Sequence, residues 1–235
     1  MKTAKSITGL LIISGTTWLN AQIHPGTNNV VLGQNSSIAG GDFNKINAVH
    51  GIISSGANNT NTANFGSIGG GRYNHVLTEF STIPGGYWAK TRCVGQMAYA
   101  SGKFSDPGDA QFGLYVLRGT VSGVGTNALS LDGGTNQITV PANGSFLLDI
   151  DVASRSTSPS NSVYGNFFHC RMAVENQNGD LVCQAVDSSS VTNHNPSLIA
   201  LYSCDTDKFI LSGTGEYGNT VYWVATVRAT ELVKP

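Results

Sequence analysis

The sequence predicts an all-β chain in which a trimeric β-roll or β-solenoid shaft is followed by a jelly-roll-like β-sandwich. Two observations predict this class: a fifteen-residue repeat in the first half, and alternating apolar residues without a convincing amphipathic helix in the second. We expect four segments. They are a joining segment at 1–22, the repeat shaft at 23–92, a linker at 93–109 and the β-sandwich at 110–235.

The repeat reads Ile-x-x-Gly-x-x-Asn. Its isoleucines are Ile23, Ile38, Ile53, Ile68 and Ile83, its glycines Gly26, Gly41, Gly56, Gly71 and Gly86, and its asparagines Asn29, Asn44, Asn59 and Asn74, with Ala89 closing the series. A fixed short period indicates units that contact mainly their neighbours, and Gly and Asn favour short strands over helix. We expect glycine to supply positive φ or close backbone approach, and asparagine to occupy left-handed turn positions.

The core of such a shaft is predicted to be thin, with one isoleucine per repeat stacked in a ladder. Ordering the backbone costs about 1 to 2 kcal/mol per residue, which a single thin coil does not offset. Cyclic association of three chains supplies the missing burial. The sequence therefore predicts a homotrimer in which the isoleucine ladder becomes dry on association.

Two runs of the repeat carry a family resemblance: Ser67-Ile68-Gly69-Gly70-Gly71-Arg72-Tyr73-Asn74 and Ser81-Thr82-Ile83-Pro84-Gly85-Gly86. They resemble the head repeats of trimeric autotransporter adhesins, and equally the glycine-rich repeats of bacteriophage tail-fibre proteins. In both families the resemblance implies a left-handed trimeric β-roll.

The second half of the chain alternates apolar and polar residues, as in the runs from Phe146 to Val152 and from Tyr222 to Arg228. The turn pairs Asp132-Gly133, Asn143-Gly144 and Asn178-Gly179 separate β-favouring runs. This pattern predicts about eight or nine strands, which suffices for a sandwich.

The start of the second half resembles putative tail-fibre proteins of aquatic bacteriophages, in which glycine-rich repeats also lead into a C-terminal β domain. The matching runs are Ala100 to Phe104, Gly108 to Gln111 and Tyr115 to Thr120. The resemblance implies a structural virion protein, assembled in the host cytoplasm, that forms a homotrimeric tail fibre contacting the host surface. Trimeric adhesins instead end in a coiled-coil stalk and a membrane anchor, patterns absent from this sequence.

Three alternatives stay open: a virion connector or capsid head fibre without a receptor role, a bacterial trimeric surface adhesin, and a polysaccharide depolymerase spike. Lys2 and Lys5 precede a short apolar run at 7–13, which is compatible with a secretory signal. We interpret 1–22 instead as the segment that joins the fibre to another virion protein. The apolar run is too short to span a bilayer, so membrane insertion is not expected.

Composition argues against nucleic acid as a partner. Charged residues make up 11% of the chain and the formal net charge is -1, so no basic face is available to neutralise phosphates. The expected partner outside the virion is a carbohydrate or protein receptor on the host surface. Candidate receptor-binding residues are the aromatics Tyr87 and Trp88 in the last repeat and the loop residues Tyr164, Asn166 and Phe167, because sugars stack on rings and bind amides.

Catalytic and metal-binding patterns are weak. Asp149 and Asp151 share one strand face at a spacing of about 6 to 7 Å, but we interpret them as a solvated face. No catalytic residue, metal or cofactor is predicted, and the chain is expected not to be an enzyme. The four cysteines fit no zinc pattern and are expected to be free thiols, with a Cys170 to Cys183 pair across a hairpin as the alternative.

Overall fold

A computed structural model describes residues 22–23, 26–157, 165–192 and 197–234, with side chains from 26 onward except 188–192. Residues 1–21 of the predicted joining segment, the side chain of Ile23 and the whole of Tyr164 lie outside this part. All of the described chain that is regular is β structure, and no helix occurs in it. The predicted fold class, a β-roll followed by a β domain, is confirmed.

The shaft consists of short strands in two parallel ladders. Its strands are β1 (Gln22–Ile23), β2 (Val30–Val31), β3 (Ser37–Ile38), β4 (Lys45–Ile46), β5 (Ile52–Ile53), β6 (Thr60–Asn61), β7 (Ser67–Ile68), β8 (His75–Val76), β9 (Thr82–Ile83) and β10 (Met97–Tyr99). Odd-numbered strands β1 to β9 pair in one ladder and even-numbered strands β2 to β8 in the other. Partners are one repeat apart, as in Ile53 with Ile68, so each fifteen-residue unit is one coil.

The isoleucine ladder is buried inside a single chain. Ile38, Ile53, Ile68 and Ile83 are all 0% exposed, and Ile46 and Val76 of the second ladder face them. The prediction that the ladder becomes dry only on association is therefore wrong. The two strands of one coil are close enough to bury each other's apolar residues, so the core needs no partner chain.

The repeat asparagines form a second internal ladder. Asn59 Nδ2 donates to the carbonyl of Gly71 in the next coil at 2.9 Å, and its Oδ1 accepts the N–H of Asn74 at 3.0 Å. Asn44 and Asn74 repeat this pattern and, like Asn59, are fully buried; Asn29 does so at the first coil. The prediction that these asparagines occupy left-handed turns is wrong, because the left-handed residue is the one before each of them.

The repeat glycines combine positive φ with close backbone approach. Gly71 has φ 83°, and a Cβ there would lie 2.1 Å from the carbonyl oxygen of Gly86. Gly26 lacks the positive φ, yet a Cβ would lie 1.9 Å from the Gly41 oxygen. Coils can stack at this turn only if the position has no side chain.

One histidine should make the shaft sensitive to mild acid. His75 is half-buried, and burial together with the charge of Lys90 in the next coil lowers its pKa below the ordinary value. The unfolded chain takes up a proton near pH 6.5 whereas the folded chain does so at lower pH, so stability falls as the pH drops through this window. His75→Thr should remove this part of the loss, because Thr60 occupies the same position one coil earlier. Melting temperatures from pH 7.5 to 5 measure it, and identical pH profiles for both proteins would contradict it.

The β domain holds the remaining strands. These are β11 (Ala110–Ser122), β12 (Thr126–Ala128), β13 (Ile138–Thr139), β14 (Gly144–Ser156), β15 (Gly165–Gln177), β16 (Asp180–Thr192), β17 (Ala200–Asp205), β18 (Lys208–Thr214) and β19 (Thr220–Val233). The large antiparallel sheet has the order β11-β19-β14-β15-β16. A smaller sheet of β12, β13, β17 and β18 contributes to the same apolar core, with Phe209 and Leu211 packing in the cluster that includes Trp223.

The large sheet continues without interruption into the shaft. β10 pairs in parallel with β9 and antiparallel with β11, so the described residues form one eleven-stranded sheet from the first coil to β16. β10 lies within the predicted linker, 93–109. The consecutive strands β14, β15 and β16 lie side by side as a meander, a connectivity that differs from the two Greek keys of a jelly roll.

The cysteine predictions are wrong in two respects. Cys183 of β16 forms a disulfide with Cys204 of β17, with Cα atoms 6.1 Å apart, whereas Cys93 and Cys170 are free. Asn178 and Gly179 do form the β15–β16 turn. Cys170, however, lies opposite Ser188 rather than Cys183, because the register is set from that turn.

Removing the disulfide should destabilise the β domain. Cys183 and Cys204 are 21 residues apart, and closing a loop of that length stabilises by about 3 kcal/mol in the chain-entropy account. We expect Cys183→Ser to lower the free energy of unfolding by about that amount under oxidising conditions, and to have no effect under reducing conditions. Denaturant unfolding measures it, with Cys170→Ser as the control. Equal losses in both variants would contradict the pairing.

Candidate functional site

A buried carboxylate joins the shaft to the β domain. Glu231 of β19 accepts hydrogen bonds from Gln111 Nε2 at 2.7 Å, from Gln96 Nε2 at 3.1 Å and from the Tyr115 hydroxyl, and it pairs with Arg92 Nη1 at 2.8 Å. Arg92 and Gln96 belong to the last coil, whereas the other three residues belong to β11 and β19. The shaft is therefore fixed to the domain by one ionic network.

The protonation of this network follows from its burial. Burial raises the pKa of Glu231, although the Arg92 guanidinium and the neutral donors oppose that shift. Burial and the Glu231 charge raise the pKa of Tyr115 well above its ordinary value, which keeps the phenol a donor. Nearby, burial raises the pKa of the Cys93 thiol to about 11, and its sulfur accepts the N–H of Thr139 from the smaller sheet at 3.4 Å. Both sheets of the domain thus contact the last coil.

The predicted receptor residues Tyr87 and Trp88 lie in a stack at this junction. Trp88 stacks on Tyr73 of the preceding coil with ring centroids 4.1 Å apart, and Lys103 Nζ covers Trp88 at 4.1 Å from its centroid. Arg72 lies over the Tyr73 ring at 4.8 Å. Tyr87 is tilted against Trp88 and 42% exposed. Since Trp88 already stacks with a ring and a cation, Tyr87 is the more accessible member of the pair.

The second predicted group does not form a loop site. Asn166 and Phe167 lie in β15 rather than in a loop, and adjacent strand residues point to opposite faces. Asn166 is fully buried and its Nδ2 donates to the Leu198 carbonyl at 3.2 Å, so its side chain is not exposed to a receptor in this fold. Phe167 is exposed on the outer face of the large sheet. It lies opposite Ala153 of β14, whereas Tyr87 and Trp88 belong to the last repeat of the shaft.

The outer face of the large sheet carries seven exposed large apolar side chains on the described residues of β11, β14, β15 and β19. They are Phe112, Val116, Leu147, Phe167, Tyr222, Val224 and Leu232. The face continues onto β10, where the exposed Tyr99 pairs with Phe112, and onto the shaft, where Ile52 is exposed in β5. We interpret this run of exposed apolar side chains as a candidate interaction surface.

Charged groups in the middle of this face are paired with one another. Arg228 Nη2 contacts Asp149 Oδ2 at 3.1 Å and Asp151 Oδ2 at 2.7 Å. His169 approaches the same two carboxylates from β15, at 3.5 and 2.9 Å. The alternation of β14 predicted that the two aspartates share a face, whereas the sequence did not reveal Arg228 and His169 as their partners. Strand register, which brings β15 and β19 to either side of β14, supplies that information.

The described residues contain no group of three or more His, Cys, Asp or Glu side chains arranged to hold a metal ion. Nor does that part of the chain contain a helix long and apolar enough to cross a membrane.

Comparison with known proteins finds similarity only at the level of solved structures. No protein-family model and no curated protein matches the chain. A tailspike protein of Acinetobacter baumannii phage AM24 aligns over 86% of this chain and 50% of its own, at 8% identity and a TM-score of 0.30. A tailspike of Acinetobacter phage vB_ApiP_P1 aligns over 89% and 54%, at 7% identity and a TM-score of 0.25. The chain spans about half the length of these proteins.

A third structure bears on the enzyme prediction. It is the tailspike protein gp49 of Acinetobacter baumannii bacteriophage Fri1, described as a capsular polysaccharide depolymerase, with 11% identity, 87% of this chain and 46% of that chain covered, and a TM-score of 0.31. This finding contradicts the prediction that the chain is not an enzyme, because a protein in the structural comparison is itself described as an enzyme. TM-scores this low transfer neither that activity nor its residues to this chain.

Proposed function

We propose that the chain is a homotrimeric fibre or spike protein of a bacteriophage virion that contacts the host surface. The observation that carries the proposal is the single sheet that runs from the first coil of the shaft into the β domain. The Glu231 network at the junction adds side-chain contacts between the shaft and the β domain. A shaft joined to a terminal domain in this way can hold that domain away from the point at which the shaft is attached.

The outer face of that sheet supports the trimer. Its exposed apolar side chains extend from Tyr99 on β10 to Phe167 on β15, so three copies can pack through this part of the sheet. Asp149 and Asp151 are ion-paired within the chain, which lowers the cost of removing them from water. The argument for a trimer therefore rests on this outer face and no longer on the isoleucine ladder, which is already buried within one chain.

The position of the chain on a virion tests the proposed function. Antibody labelling or density difference in electron micrographs of the phage is expected to locate the chain at the tail, with the β domain outermost. Location on the capsid or neck would favour the connector alternative. Absence from the particle would overturn the proposal.

A further inference from the structure

Two columns of the shaft hold aromatic side chains on left-handed backbone. One column contains Phe43, Tyr73 and Trp88, and the other contains His50, Phe65 and Phe80, with φ between 56° and 69°. Left-handed backbone costs a residue with a bulky side chain on the order of 1 kcal/mol, and glycine or asparagine avoids most of that cost. Rings at six such positions therefore point to a use for the rings themselves.

The second column is a stacked ladder that stops one place short. His50 and Phe65 have centroids 5.0 Å apart and Phe65 and Phe80 have centroids 5.1 Å apart, with the rings nearly parallel. The next residue of the column is Gly95, which keeps the left-handed φ of 69° but has no ring. A Cβ at Gly95 would meet nothing within 4 Å. Phe80 is 60% exposed, and the position that follows it in the column holds no side chain.

In the first column, the last ring is covered on both faces. That ring, Trp88, has Tyr73 on one side and the Lys103 ammonium on the other. Within the described part of the chain, Phe80 stacks on Phe65 and has no ring or cation contact on its other side. The open end is therefore a property of the Phe80 column.

We propose that the open face of Phe80 above Gly95 binds a pyranose ring of a surface saccharide. The inference rests on the proposed function, which makes a host-surface carbohydrate the expected ligand. One face of a pyranose carries C–H groups that stack on an aromatic ring, while its hydroxyls need polar partners. Exposed Glu79 precedes Phe80 in the chain, and its carboxylate accepts one hydrogen bond, from Asn64 Nδ2 at 3.0 Å. A carboxylate can accept more than one hydrogen bond, so Glu79 is the residue we expect to bind a sugar hydroxyl.

The proposed contact is the face of a single ring, which favours a sugar unit over a protein partner. Stable protein interfaces bury on the order of 1,000 Å² or more, whereas a single uncovered ring face accommodates one ring. Binding of one sugar unit by stacking is weak. Three copies on one fibre, each engaging a repeating polysaccharide, would raise the overall affinity through effective concentration.

Saturation-transfer NMR on the full chain tests the site, with methyl β-D-galactopyranoside and methyl β-D-glucopyranoside as probes. Saturable transfer to the ring C–H protons of at least one glycoside is expected. Phe80→Leu should reduce it about fivefold or more, because the stacking contribution is lost. Gly95→Phe should reduce it equally by filling the place, and this variant should fold because Phe65 and Phe80 hold the same left-handed backbone. Phe43→Leu is the control, since Phe43 is an exposed left-handed phenylalanine of the other column.

Two outcomes would overturn the site: no saturable transfer to either glycoside, or transfer that survives both Phe80→Leu and Gly95→Phe. Binding of N-acetylphenylalaninamide in place of the glycosides would overturn the saccharide assignment and indicate an aromatic side chain of a protein partner. None of these results depends on where the chain sits in a virion. Failure of the saccharide site is thus distinguishable from failure of the fibre assignment.

Discussion

Ile53→Ser is expected to unfold the shaft, whereas the same change at the adjacent residue, Ile52→Ser, is expected to be tolerated. Ile53 is fully buried between Ile38 and Ile68, and serine there loses the apolar contacts and leaves a hydroxyl without water. Cavity and desolvation costs together come to about 4 to 6 kcal/mol, comparable with the whole stability of a typical domain. Each coil depends on its neighbours, so the loss extends along the shaft.

The control is close in both sequence and chemistry. Ile52 is 49% exposed, and the equivalent residues one coil before and after it are Ser37 and Ser67. Its change should alter the free energy of unfolding by less than about 1 kcal/mol. Circular dichroism and denaturant unfolding measure both variants. Equal effects at the two positions would mean that the described core is not the one that stabilises the shaft.

Glu231→Ala is expected to destabilise the protein by about 3 to 5 kcal/mol, because it leaves the Arg92 guanidinium without its carboxylate in a largely buried site. Gln96, Gln111 and the Tyr115 hydroxyl lose an acceptor at the same time. The double variant Arg92→Ala with Glu231→Ala should lose less than the sum of the two single variants. Thermal unfolding measures the series.

Glu175→Ala is the matched control, because Glu175 is an exposed glutamate on β15. Its free energy of unfolding should lie within about 0.5 kcal/mol of that of the unchanged protein. A Glu231→Ala variant that melts with the control would show that the junction is held by other contacts. Strictly additive losses in the double variant would show that Arg92 and Glu231 do not act as a pair.

Periodicity predicted the shaft well because the repeat records a local constraint that recurs in every coil. Gly71 must lack a side chain where two coils approach, and Ile68 must be apolar where two strands of one coil meet. The role of Asn59 was predicted wrongly since its amide bonds to neighbouring coils, and turn preference says nothing about such contacts. Whether one chain alone buries the isoleucine ladder depends on the distance between the two strands of a coil. The length of the repeat does not specify that distance.

The candidate sites were harder to predict because they depend on register. Alternation placed Asp149 and Asp151 on one face, but which strands lie beside β14 decides that Arg228 and His169 bind them. Asn166 looked like a loop residue only because the start of β15 contains Gly165. The open end at Gly95 was not anticipated, although a listing of the sequence in fifteen-residue rows aligns it with Phe65 and Phe80.

The most direct test of the trimer, on which the proposed function depends, is the mass of the full chain in solution by light scattering or sedimentation equilibrium. We expect about three times the chain mass of 24.6 kDa at micromolar concentration. Leu147→Lys together with Val224→Lys places charge on the outer face of the large sheet, and this variant is expected to remain folded but to lose the trimer. A monomer for the unchanged chain, or a trimer that survives both lysines, would contradict burial of that face between copies.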